Sequence, residues 1–245
     1  MSSTDKLIAR AEGLLARLEK LLPGEPAPTE WKDSIAFRWR KRASAGWLQS
    51  VAHPHAIRLS DLKDVDDQKG RVAENTRQFV LGRPANNVLL TGARGTGKSS
   101  LIKALLAEYA ARGLRVIEVD KSHLPDLGQI VALVAARPEH FILFCDDLSF
   151  EEGEDSYKAL KSALDGGLAQ RAANLLVYAT SNRRHLMPER ASENREGWVK
   201  DGEIHPGETT EEKVSLSDRF GLWLGFHPFN QDVYLEACCH WVTQL

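Results

Sequence analysis

The chain has 245 residues, 42% of them hydrophobic and 27% charged, which is enough to bury a sizeable core and excludes a disordered or disulfide-stapled peptide. Thirty-two Lys and Arg against 34 Asp and Glu leave a formal charge of -2, so no overall basic field draws the chain onto nucleic acid or membrane. Cys145 and the neighbours Cys238 and Cys239 make no disulfide framework, and no apolar stretch approaches the ~20 residues of a bilayer helix, so a reducing, cytoplasmic setting without membrane contact is expected.

Residues 5 to 22 place Leu7, Ala11, Leu14, Leu15, Leu18, Leu21 and Leu22 three and four positions apart, which predicts an amphipathic helix. Pro23 and Gly24 stop it, and three prolines between residues 23 and 29 read as a short linker. Residues 1–55 are therefore expected to form an N-terminal helical extension, and 56–245 the main domain. Trp31 to Arg42 interleaves aromatic side chains with cations, a composition that suits stacking on bases and neutralising phosphates. It suits equally a docked segment in which Trp31, Phe37, Trp39 and Trp47 pack against the body and the cations face water, and that is the expectation here.

From about residue 56, short β-rich apolar runs alternate with helical segments, the pattern of parallel strands joined by helical crossovers. The expected fold is α/β, with a five-stranded parallel sheet flanked by helices. Its strands are 87–91, 116–120, 141–145, 175–180 and 222–226, several apolar throughout, as strands covered on both faces should be. Residues 101–112 and 157–173 are the clearest helices. Residues 189–213, polar and with eight acidic side chains, are expected to be a long loop.

Gly92, Ala93, Arg94, Gly95, Thr96, Gly97, Lys98 and Ser99 follow the first of these strands and match the phosphate-loop spacing G-x-x-x-x-G-K-[ST]. Glycines let successive backbone N–H groups, through Ser100, point into one concavity at a helix N-terminus. Lys98 supplies a charge for the β- and γ-phosphates, and Ser99 a hydroxyl for Mg²⁺. The run 141–145 ends in Asp146 and Asp147 at the carboxyl edge of the sheet, where ligands of open α/β sheets bind. Asp146 is suited to hold the Mg²⁺ carried by a nucleotide, and Asp147 to orient or deprotonate an attacking water. After the fourth strand, Asn182 rather than Thr180 is expected to position that water, while Arg183 and Arg184 read equally as phosphate contacts or a solvated pair. Arg219 stands just before the fifth strand, away from its own phosphate loop, where it can reach across a subunit interface to developing phosphoryl charge. Pairing with a local carboxylate is its other reading. Cys238, Cys239 and His240 carry no metal-site spacing, and His205 and His227 have no visible base or nucleophile partner.

In this order the motifs resemble those of AAA+ P-loop ATPases, over about residues 56–230. The segment Ser60 to Lys69 resembles the stretch that packs beside the adenine in that family, which implies Leu62 and Val65 as its apolar contacts. More narrowly, Cys145 to Glu151, Gly202 to Glu208 and Leu216 to Leu222 resemble an uncharacterised prokaryotic family of ATP-binding proteins, a domain of unknown function. Its Asp-Asp pair and Arg-Phe box are similar to those of replication initiators and helicase loaders. The resemblance implies ATP and Mg²⁺ as cofactors, a homo-oligomer sharing sites between subunits, and a macromolecular client, with nucleic acid a candidate. Two departures stand out. Asp147 occupies a position where most members have Glu, which implies slow hydrolysis, and only seventeen residues follow Pro228, room for one helix in place of the usual lid. The leading expectation is an ATPase that hydrolyses Mg·ATP at subunit interfaces to remodel or load a macromolecule. The alternatives are a nucleotide-dependent switch or adaptor with little turnover, and a small-molecule P-loop kinase, which the acidic 189–213 segment disfavours.

Overall fold

The apolar runs become the centre of one sheet in the computed structural model, which describes residues 8, 10, 12, 13, 29–151, 154–165, 172–183, 186, 198–200, 203–205 and 216–244. Two strands, β1 (Ala36–Arg42) and β2 (Ala45–Ser50), precede the five expected ones. The expected strands are present as β3 (Val88–Gly92), β4 (Leu114–Glu118), β5 (His140–Cys145), β6 (Leu175–Ser181) and, last in the chain, β9 (Leu222–Phe226). These five are mutually parallel. Successive residues alternate between two cores, as a pleated strand buried on both faces requires: Leu89 joins one, Val88 and Leu90 the other. Helices α1 (Asp66–Val80) and α2 (Lys98–Tyr109) cover the second face through Val72, Phe79, Leu101 and Leu105. On the opposite face, α3 (Leu127–Val134) and α4 (Asp155–Asp165) contribute Ile130, Val134, Leu160 and Leu164.

The sheet thus has seven strands where five were expected, in the spatial order β2-β1-β4-β5-β6-β3-β9. The additional pair, β1 and β2, is an antiparallel hairpin whose first strand runs parallel to β4. The cause is a two-residue alternation inside the aromatic and cationic segment. Phe37 and Trp39 are buried, at 1% and 2% exposure, while Arg38 and Arg40 face out. Gly46 makes this possible, since a Cβ there would lie 2.1 Å from the Trp39 indole. Trp39 Nε1 also donates to Asp126 Oδ2, and Lys41 to Asp126 Oδ1, which fastens the hairpin to the body.

Other differences are local. The 189–213 stretch, expected as loop, contains two three-residue strands, β7 (Trp198–Lys200) and β8 (Glu203–His205), with Val199 and Ile204 opposite one another in the register. The helix expected over 157–173 is described as far as Asp165, and by Ala173 the chain is in a turn. There Asn174 Nδ2 donates to the carbonyls of Val134, Arg137 and Glu139. Most of the helix expected at residues 5–22 lies outside the described residues, as do Arg184 and the rest of 189–213. Among the described residues no helix is long and apolar enough to cross a membrane. After β9, Asn230 Oδ1 accepts from Val233 N at 2.9 Å and caps α5 (Gln231–Gln244), which completes the described chain.

Candidate functional site

The phosphate-loop residues turn off the carboxyl end of β3, and three of their glycines take conformations in which a side chain would be strained. Gly95 and Gly97 have φ of +77° and +87°, and Gly92, at +137°, leaves no room for a Cβ, which would meet the Phe226 carbonyl oxygen at 2.0 Å. Close passage of β9 beside β3 thus fixes where the loop begins. Lys98 opens α2 and is buried, its Nζ donating to the carbonyls of Gly92 (2.9 Å) and Ala93 (2.6 Å) and to Asn182 Oδ1 (3.1 Å). Burial lowers its pKa, and the facing Asp146 and Asp147 act in the opposite sense.

β5 carries the two carboxylates to the same edge. Asp146 Oδ1 accepts from Ser99 Oγ at 2.6 Å and from Thr180 Oγ1 at 2.5 Å. Asp147 adopts φ +52°, a left-handed conformation in which Asp is among the better-tolerated side chains. Its N–H donates to Thr180 Oγ1 at 2.9 Å, and its carboxylate accepts from Asn182 Nδ2 at 2.5 Å and faces Arg94 at 3.6 Å. Thr180, which sequence reasoning ranks below Asn182, is therefore the residue that touches both acids. Its place near the end of a buried strand was a usable signal, because a hydroxyl there can accept from one neighbour and donate to another.

These groups line a cleft of about 410 Å³ that apolar side chains share. Leu62 and Val65, which bracket the turn before α1, face it, and Leu62 Cδ2 would lie 3.7 Å from a Cβ at Gly97. Phe229, Ala237 and Trp241 line it as well. Sequence reasoning did not find these three, since only the return of the chain after β9 brings them here. The single C-terminal helix thus stands against the cleft, and His240 Nε2 lies 3.2 Å from Asp61 Oδ1 on the facing turn. A backbone N–H from Arg58 is the main influence lowering the Asp61 pKa, and His240 adds to it.

Arg219 is not brought to this group within one chain. β3 and β9 are parallel with Val88 opposite Leu222 and Gly92 opposite Phe226, so Arg219 lies at the amino ends of strands whose carboxyl ends bear the phosphate loop. Five residues of strand, ~16 Å, separate the two levels. Its guanidinium is ion-paired with Asp165 of α4, the local-carboxylate reading of this residue. Arg183, in turn, sits 3.6 Å from Glu151. The side chains at the phosphate end suit a hard divalent cation: Ser99 Oγ and Asp146 Oδ1 lie 2.6 Å apart and both are oxygen.

The family model described as "Protein of unknown function (DUF815)" matches residues 32–245. No curated protein matches. Among solved structures, an arginine-to-alanine variant of RuvB from Thermotoga maritima superposes with a TM-score of 0.50 at 14% identity, covering 76% of this chain and 53% of that one. The Thermotoga maritima RuvB Holliday junction branch migration motor gives 0.48 at 16% identity, covering 74% and 50%. DnaI gives 0.40 at 19% identity, covering 71% and 88%. The chain spans about half the length of the RuvB chains it matches. With the sheet order and loop placement described above, the likeness to the RuvB variant gives the chain the fold of AAA+ ATPases, and the family match, over most of its length, makes it a member of the DUF815 family.

Proposed function

We propose that the chain binds Mg·ATP in the cleft at the carboxyl edge of the sheet and hydrolyses it at a site completed by Arg219 of a neighbouring copy, coupling turnover to the remodelling or loading of a macromolecule. The observation that carries this reading is the convergence of Lys98, Ser99, Asp146, Asp147 and Asn182 around one phosphate loop. The loop amides and Lys98 bind the phosphates, with Lys98 exchanging two carbonyl partners for phosphoryl oxygens. Ser99 and Asp146 would hold Mg²⁺, which when bound neutralises charge on the β- and γ-phosphates. Asp147 accepts a proton from the attacking water, and Asn182 fixes its orientation.

A second reading, a nucleotide switch with little turnover, is favoured by one specific observation. The Asp147 carboxylate is engaged by both Asn182 and Arg94, and Arg219 by Asp165, so the acid and the cation that hydrolysis would use have partners inside the chain. Phosphate release measured against protein concentration separates the two. An interface ATPase shows turnover per subunit that rises with concentration, with Arg219→Ala keeping ATP binding and losing turnover, and Lys98→Ala losing both. Normal hydrolysis by Arg219→Ala sinks the interface mechanism, and saturable ATP binding without phosphate release establishes the switch. Repeating the assay with single-stranded DNA tests nucleic acid as the client.

A further inference from the structure

Register sorts the β1 and β2 hairpin into two faces, because side chains alternate along each strand. Phe37, Trp39 and Lys41 fall on one face, opposite Ser50, Leu48 and Gly46. The fold uses this face: both rings join the core and Lys41 pairs with Asp126. Arg38, Arg40 and Arg42 fall on the other face, opposite Gln49, Trp47 and Ala45. There the three arginines, Gln49 and Ala45 are exposed and Trp47 is half-buried. Of the four aromatics expected to pack on the body, Trp31, Phe37 and Trp39 do so. Trp47 alone joins neither core of the described residues.

The cations on this open face differ in how they are engaged. Arg38 Nη2 lies 2.7 Å from Glu118 of β4, Arg40 Nε donates to Gln49 Oε1, and the Arg42 guanidinium stands 5.9 Å from the centre of the Trp47 ring. Arg40 and Arg42 thus form no ion pair among the described residues, in a chain whose formal charge is -2. Two residues separate them, ~7 Å along the strand, with the indole opposite Arg40 and beside Arg42. Uncompensated guanidiniums attract an anion, and a half-open indole adds a flat apolar surface. An acidic peptide has use for the charges alone, whereas an unpaired nucleotide strand uses both, phosphates on the cations and a base on the ring. We propose that the outward face of the hairpin binds single-stranded nucleic acid, with Arg40 and Arg42 on its phosphates and Trp47 stacked on a base. Its path is bounded on one side. Arg38 and Arg40 also line a polar hollow of about 550 Å³ with Glu118, Asp120 and Asp146, whose carboxylates repel phosphate, so the strand crosses Arg42 and Trp47 instead. Asp146 lines both that hollow and the nucleotide cleft, so the strand borders the cleft without entering it. The inference gives the macromolecular client a chemical class, yet it concerns a separate face and needs no bound nucleotide.

Fluorescence anisotropy of labelled oligo-dT and oligo-U, titrated with the full chain in the absence of ATP at several salt concentrations, tests this. Arg40→Gln and Arg42→Gln alter exposed side chains, and each is expected to weaken binding and to lower the slope of log affinity against log salt by about 0.7. Trp47→Ala is expected to weaken binding roughly 5- to 150-fold, the worth of one base–aromatic stack, with the salt slope unchanged. Trp47→Phe keeps an aromatic face and should restore most of the affinity. Binding of either strand with these losses supports the proposal, and the ratio of the two affinities tells DNA from RNA. No binding of either strand by the wild type overturns it, as does binding that Arg40→Gln, Arg42→Gln and Trp47→Ala leave unchanged. Displacement by polyglutamate as effective as by unlabelled strand, with Trp47→Ala without effect, overturns it in favour of an acidic protein partner. Because no readout involves ATP, failure here leaves the nucleotide reading intact, and failure of ATP binding leaves this face intact.

Discussion

Replacing Thr180 by Val tests whether one hydroxyl organises both acids. The side chain is 1% exposed, so Val fits the volume and only the polar contacts are lost. Two hydrogen bonds go: the one accepted from Asp147 N at 2.9 Å and the one donated to Asp146 Oδ1 at 2.5 Å. An N–H left without its partner beside a buried strand costs about 1–3 kcal/mol, whereas Asp146, which is exposed, exchanges its donor for water at about 0.5–1 kcal/mol. The extra buried methyl returns up to about 0.8 kcal/mol. The balance is a loss of about 1–3 kcal/mol, which lowers the melting temperature by about 2–10 °C in a chain of this size. Because the lost bond holds the left-handed turn at Asp147, the acid should shift, and a displacement near 1 Å is enough to lower turnover by about 100-fold. Urea denaturation and steady-state phosphate release report the two effects separately. Thr180→Ser, which keeps the hydroxyl, should retain most of the turnover. A Thr180→Val chain within about 0.5 kcal/mol of the wild type, or a Ser variant as inactive as the Val variant, would refute the reasoning.

Gly92→Ala should melt far below the wild type, losing at least ~2 kcal/mol, because the added Cβ meets the Phe226 carbonyl oxygen at 2.0 Å and the φ of +137° is strained for alanine; a melting point within a degree or two of wild type contradicts that close approach. Burial pushes the Cys145 thiol far above its ordinary pKa, so a thiol reagent at pH 8 should modify Cys239 and Cys238 quickly and Cys145 only on unfolding; fast labelling of three thiols in the native chain would contradict it. Burial pushes the Asp126 carboxyl up, but Lys41 and the Trp39 indole outweigh it and hold the pKa below its ordinary 3.8. A carboxylate whose folded pKa is depressed contributes stability above the unfolded value and loses it as pH falls further, so the wild type should lose melting temperature below about pH 4 and Asp126→Asn should do so less steeply. Parallel melting curves for the two chains between pH 3 and 7 would remove Asp126 from the account.

The parts of the site that follow a strand were legible because their chemistry is local. A phosphate loop needs its glycines and lysine at fixed spacing whatever surrounds it, and β9 is expected at Leu222–Phe226 on its apolar run alone. The hairpin was not legible as strand because its two-residue alternation is also an alternation of aromatics and cations. Trp39 becomes core only where Gly46 admits its ring, a relation between residues seven apart in sequence but on facing strands. The apolar lining was illegible for a stronger reason. Nothing in sequence about Phe229, just before α5, or Trp241, within it, points to a site until the chain has passed along β9 and His240 meets Asp61 on the turn before α1.

Asp147 is where the residue reads as a departure from the family pattern and the backbone explains it. The chain leaves β5 and turns so sharply that Leu148 N returns to Thr180 O at 2.7 Å and Phe150 is fully buried two residues later. That turn puts residue 147 in the left-handed region, which a short Asp side chain tolerates better than most, and brings its Cα close enough for a one-methylene stem to reach Asn182. The amide of Asn182 is polarised in a single sense, its oxygen facing Lys98 and its nitrogen facing Asp147. In the proposed function this makes the amide the physical link between binding and chemistry. Lys98 exchanges its Gly92 and Ala93 carbonyls for phosphate while Asn182 stays between the cation and the acid, so the charge that binds and the carboxylate that reacts are oriented by one side chain.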